Sequence, residues 1–161
     1  MPFVVNRPVA AGWGIGVFTT KNTKGGSPRI GFVQSFLRET LRALRGEPSD
    51  ILATGLATVI CGPSERDPES ATHVTNPKLV VEVLSSSTAD YDRGEKLEHY
   101  RQIPSLEGVV LVDHESERID LWTRSAGTWG ARSFGAGEVI PLDMVGAALP
   151  VDEVYAAARN A

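Results

Sequence analysis

The sequence predicts a mixed α/β, or α+β, fold: a mixed β-sheet flanked by helices. Three observations carry that prediction. Residues 79–84 read Leu-Val-Val-Glu-Val-Leu, apolar and β-branched on both faces, as a central strand requires. Phe32, Val33, Phe36, Leu37, Leu41 and Leu44 recur at helical spacing. Downstream, short strand-like segments alternate with turns, which suits antiparallel pairing. The order is then helix, strand, helix, strand and antiparallel strands.

The elements follow in chain order. Residues 1–29 form an atypical N-terminal segment, with β-like pieces at Phe3–Val5 and Gly16–Thr20 that suggest a weak strand or hairpin followed by a loop. A helix is expected over 30–45, opened by Ser27-Pro28 and stopped by Gly46 and Pro48. A strand is expected at Ala57–Cys61, and the central strand at Leu79–Leu84. Ser85 to Thr88 cap a helix of about residues 89–102, which Pro104 ends. Strands are expected at Gly108–Val112, Arg118–Thr123 and Trp129–Phe134, with a short piece at Val139–Ile140 and a small helix at Val151–Ala158. No linker or repeat divides the 161 residues, which are read as a single domain spanning 1–161.

Composition narrows the function classes. The formal net charge is −4, from 16 basic and 20 acidic side chains, which argues against a dedicated high-affinity nucleic-acid binder but leaves room for a local basic patch. No apolar run reaches the roughly 20 residues of a membrane span, so no membrane partner is expected. The N-terminus lacks the basic leader and continuous apolar stretch of a signal peptide. One cysteine, Cys61, excludes an internal disulfide and a multi-cysteine metal site, and fits a reducing cytoplasm.

Glu82 is the most informative residue. Val80, Glu82 and Leu84 share one strand face; Leu79, Val81 and Val83 share the other. A carboxylate there is costly unless paired or metal-bound. The residues alone leave open a buried ion pair and a functional acid. On the following helix, Asp92, Lys96 and Tyr100 lie four apart in one stripe. Lys96 is either a surface partner of Asp92 or points at Glu82, where it stabilises developing charge or orients a water. His73, His99 and His114 show no metal-ligand spacing and read as surface or turn residues. Gly12-Trp13-Gly14-Ile15-Gly16 lacks the lysine and context of a phosphate loop. Trp122 and Trp129 read as cross-strand packing.

The block at 76–124 carries Glu82–Ser85, then Ser86–Thr88, Asp92, Lys96, Tyr100 and Leu111–Asp113. In this order it resembles the core of the Uma2 restriction-endonuclease family, of the PD-(D/E)XK nuclease kind. Leu149 to Tyr155 resembles the family's ending. The resemblance implies a restriction-endonuclease-like fold and Mg2+-dependent (or Mn2+-dependent) cleavage of DNA phosphodiesters. It implies Glu82 and the Val83 backbone carbonyl as metal ligands, Lys96 as the catalytic lysine, and Asp92 and Tyr100 in support. It also implies DNA as partner and, by analogy, a homodimer.

One departure stands out. The family's first metal carboxylate is expected in a Tyr-Pro-Asp-like segment opening the preceding strand. Here Ala57-Thr58 runs straight into Val59-Ile60, as if residues had been deleted between Thr58 and Val59, and the nearest upstream acid is Asp50. That predicts a site weak in magnesium. It keeps open a catalytically degenerate module, on the same fold, that binds nucleic acid or protein.

Overall fold

The computed structural model describes residues 16–20, 56–61, 65, 75–84 and 92–159. Six strands form one mixed sheet in chain order. They are β1 (Gly16–Thr20), β2 (Leu56–Cys61), β3 (Leu79–Leu84), β4 (Gly108–Asp113), β5 (Ile119–Ser125) and β6 (Thr128–Phe134). β1 runs parallel to β2, and β3 parallel to β4; the other neighbours are antiparallel. A second sheet pairs β7 (Val139–Leu142) with β8 (Ala147–Pro150) around a 3-10 turn at Asp143–Val145. A π-type turn, Asp92–Lys96, leads into helix α1 (Leu97–Arg101), and the C-terminal helix α2 spans Val151–Arg159.

β3 sits between β2 and β4, and all six of its residues are buried. Its alternation sorts two cores, as the period of two requires. Leu79, Val81 and Val83 pack with Ile140, Leu149, Val154 and Tyr155 from the second sheet and α2. Val80 and Leu84 pack on the opposite face with Leu97, Leu106, Val109 and Leu111, under α1. Glu82 lies on this second face.

Two clamps fix what lies over the faces. The Tyr155 hydroxyl, at the buried side of α2, lies 2.7 Å from the Asp113 carbonyl and 2.9 Å from that of Arg118. This ties α2 to the β4–β5 turn. On the other face, Arg124 donates to the carbonyls of Arg101, Ile103 and Pro104 at 2.6, 3.0 and 2.8 Å. A cation at a helix C-terminus satisfies the last carbonyls and complements the dipole. Trp129 lies beneath the Arg124 guanidinium, and Trp122 beneath that of Arg101, at 4.9 and 4.7 Å. Both rings pack against the α1-side core.

Three details differ from the sequence reading. β1, expected as a weak strand or hairpin, is a strand that among the described residues pairs in parallel with β2 across 35 intervening residues, a long-range partner that local pattern does not encode. The expected helix of 89–102 winds as a π turn over 92–96 before tightening at Leu97. Ala147–Pro150 forms a strand that its alanines and proline concealed. The expected pieces at residues 3–5, 30–45 and 85–91 lie outside the described residues, as do His73 and Asp50. The β5–β6 hairpin closes on Ala126-Gly127, both with positive φ (48° and 80°), the twist-matched two-residue turn.

Candidate active site

The site begins with strand alternation. Glu82 must face the α1 side because Val81 and Val83 face α2. The chain then leaves β3 and returns over this face as the π turn and α1. Leu97 seals into the same core as Val80 and Leu84. That anchorage, with the Arg124 clamp at the far end, places residues 92, 96 and 100 above Glu82.

All four sequence-nominated side chains meet there. The Lys96 ammonium donates to Glu82 Oε1, and to Asp92 Oδ1 at 3.2 Å. The Tyr100 hydroxyl donates to Glu82 Oε2 at 3.0 Å. Lys96 Nζ also lies 6.0 Å from the Tyr100 ring centre, within reach of a weak cation–π attraction. The Glu82 and Asp92 side chains are 5% and 3% exposed, against 17% for Lys96. Solvent therefore reaches the Lys96 side chain more readily than either acid.

Two carboxylates and one ammonium leave one negative charge uncompensated among these three groups. The electrostatics at Glu82 follow. Loss of water pushes its carboxyl above the usual carboxylate value; the Lys96 hydrogen bond and charge pull it down, and the Asp92 charge pushes it up again.

The same π turn builds a second cluster. Arg93 donates from Nη2 to Asp113 Oδ2 at 3.1 Å, and its Nε lies 4.0 Å from Asp120 Oδ2. Asp120 also accepts from Ser133 Oγ at 2.6 Å and Arg118 Nε at 3.0 Å. Sequence reasoning missed Arg93 and Asp120. Their signal was weak: Asp120 merely alternates with Ile119 and Leu121.

The sheet register is regular where the family's acidic segment is expected. Leu56, Ala57, Thr58 and Val59 pair with Glu82, Val81, Val80 and Leu79 without a break. The residue directly across from Glu82 is Leu56. Opposed residues on antiparallel strands share a face, with Cβ atoms roughly 5 Å apart. The cross-strand position beside Glu82 is therefore aliphatic. Leu56 is half-buried and packs against the α1-side core.

Val83 pairs with Val112 of β4. Cys61 ends β2. His114 Nε2 lies 3.8 Å from Glu115 Oε1, at the β4–β5 turn that the sequence assigned it. Among the described residues no group of three or more His, Cys, Asp or Glu could hold a metal. None of their helices is long and apolar enough to cross a membrane.

The donor set nevertheless suits a hard divalent cation. Magnesium takes oxygen ligands and is commonly held by one or two carboxylates plus substrate phosphates. Glu82 and Asp92 are two carboxylates within reach of one point, marked by Lys96 Nζ.

Comparison with known proteins gives the lineage. The chain is 39% identical over 99 residues to the uncharacterized protein slr1290 of Synechocystis sp. (strain PCC 6803), covering 61% of this chain and 51% of that protein. It is 45% identical over 47 residues to the uncharacterized protein sll1609 of the same organism, covering 29% and 27%. The aligned part thus spans about half the length of the first relative and about a quarter of the second. Residues 57–152, which include the π turn, α1 and all of β3–β8, match the family described as putative restriction endonuclease; the chain belongs to this Uma2 family.

Proposed function

We propose that this chain is a metal-dependent nuclease domain that hydrolyses DNA phosphodiester bonds. The observation that supports it is the convergence of Glu82, Asp92 and Tyr100 on Lys96. In this reading Glu82 and Asp92 hold Mg2+ or Mn2+, with the Val83 carbonyl as a further ligand. The cation supplies Lewis-acid activation of water and neutralises charge at phosphorus. Lys96 is the partly exposed cation of the cluster and stabilises the charge that builds on the phosphoryl oxygens. Tyr100 holds one Glu82 oxygen, so the carboxylate presents the other. DNA is the partner, the active form is a homodimer, and the setting is cytoplasmic.

The test is nicking of supercoiled plasmid by the purified chain with Mg2+ or Mn2+, beside Glu82→Ala. Cleavage by wild type and none by the variant is the expected result. Equal cleavage, or none by either, overturns the proposal.

Leu56 favours a second reading, a module on the same fold that binds nucleic acid or protein without cutting it. A leucine at the cross-strand position removes the nearest place for a strand-borne carboxylate. Metal-independent gel shifts with intact DNA are the outcome that would select it.

A further inference from the structure

The Lys96 ammonium stands at the point a divalent cation would take between Glu82 and Asp92. It contacts Oε1 of one acid and Oδ1 of the other. The remaining Glu82 oxygen, Oε2, accepts from Tyr100. Leu56, across the strand, offers no oxygen. A metal entering between the two acids would therefore meet Glu82 at Oε1, the oxygen that Lys96 already engages.

We propose that Lys96 is an internal counter-cation that competes with the metal, so that metal binding and the Lys96–Glu82 pair exclude one another. This rests on the nuclease reading above and adds to it a gate on metal loading. Charge supports the exchange. One ammonium against two carboxylates leaves a negative charge uncompensated, whereas a dication matches both. Burial supports it too: the acids are nearly sealed, while Lys96 is the partly exposed member and so has a way out toward solvent. A lysine stem of four carbons moves its ammonium by several ångströms through rotamer changes alone. The released ammonium stays close enough to meet a phosphoryl oxygen. The gate and the proposed catalytic role thus use one side chain in two positions.

The test uses the full chain and Mn2+ as probe. Calorimetric titration compares wild type with Lys96→Gln, Lys96→Met and Glu82→Gln. Both lysine variants should bind Mn2+ at least tenfold more tightly than wild type, and Glu82→Gln at least tenfold more weakly than the lysine variants. Should those variants not fold, wild type answers alone. Reductive methylation of Lys96, read by peptide mass spectrometry, should rise several-fold at saturating Mn2+. Lysine variants that bind Mn2+ no better than wild type overturn the gate. So does Lys96 labelling that Mn2+ leaves unchanged or lowers, or an absence of Mn2+ binding in wild type and variants alike. Plasmid nicking separates the two claims. Tighter Mn2+ binding without nicking by wild type keeps the gate and removes the nuclease reading; nicking with unchanged Lys96 labelling does the reverse.

Discussion

One π turn serves two charged clusters on the same sheet face, and they solve the problem of charge differently. Around Glu82, two acids share a single ammonium in near-complete burial, and the Glu82 carboxyl is pushed up. Around Asp113, the acid is partly wet. Partial burial raises its carboxyl, but the amides of Glu115 and Ser116, at 2.9 and 3.1 Å, together with Arg93 hold it below the usual range. The difference lies in what replaces water. At Asp113, fixed backbone donors and a guanidinium do so, and the carboxylate is at ease. At Glu82, one ammonium is divided between two acids, and the carboxylate is left short of positive charge. A cluster short of charge is the one suited to receive a cation.

The sharpest break in that comparison is Lys96→Met. It leaves two buried carboxylates without their ammonium. Removing one partner of a buried pair costs roughly 3–5 kcal/mol; partial solvent access to Lys96 places the expected loss near the lower end. Glu82→Gln, by contrast, leaves Asp92 and Lys96 as a balanced pair, and should change stability by less than about 1 kcal/mol. Urea unfolding at pH 8 without metal measures both. Equal losses in the two variants would mean that the cluster is not short of positive charge.

Leu56→Asp should cost less than Lys96→Met. It gives up a half-buried aliphatic side chain and sets a third carboxylate about 5 Å from Glu82, for a loss of about 2 kcal/mol without metal. The same change supplies a further oxygen. Mg2+ or Mn2+ should therefore raise the melting temperature of the variant more than that of wild type. A metal-independent melting temperature in the variant would show that Leu56 does not border the cation position.

Much of this was legible in the sequence, for physical reasons. β3 is readable because a central strand must be apolar on both faces, and that background is what makes Glu82 conspicuous. The stripe of Asp92, Lys96 and Tyr100 is readable because helical spacing is local, and the structure brings all three to Glu82 despite the π winding. Register is not local. Motif spacing suggests missing residues at Thr58–Val59 but does not say what faces Glu82; only the pairing of β2 with β3 identifies Leu56 as the residue across from it. The π winding was hidden for a related reason. The same residues that suit an α-helix adopt it here, and Arg93 gains its reach to Asp113 and Asp120 only in the folded assembly.

The pH dependence of stability separates the clusters further. A carboxyl whose folded value is raised contributes stability that is present below its unfolded value, and loses it as pH rises through the folded value. Wild type should therefore lose stability relative to Glu82→Gln as pH climbs from about 4, the ordinary glutamate range, through the raised value. A flat difference between the two proteins across that interval would mean that Lys96 fully compensates Glu82.

Asp113 should show the opposite sign and the smallest effect. Its folded value is lowered, so its contribution is present above the unfolded value, near 4, and lost as pH falls through the folded one. Asp113→Asn keeps Oδ1 for the Glu115 and Ser116 amides and replaces the Oδ2 that accepts from Arg93 with an NH2, removing that charge and that hydrogen bond. The Arg93 side chain is 39% exposed, so water already screens that contact, and the variant should lose less than about 1 kcal/mol at pH 7. As pH falls toward 2 and the wild-type carboxyl takes up its proton, the difference should shrink. Urea titrations of both proteins at the two pH values measure it. A larger loss at pH 7 would show that Arg93, rather than the backbone amides, is what keeps Asp113 at ease. The two clusters would then depend alike on a single side-chain cation from the same turn.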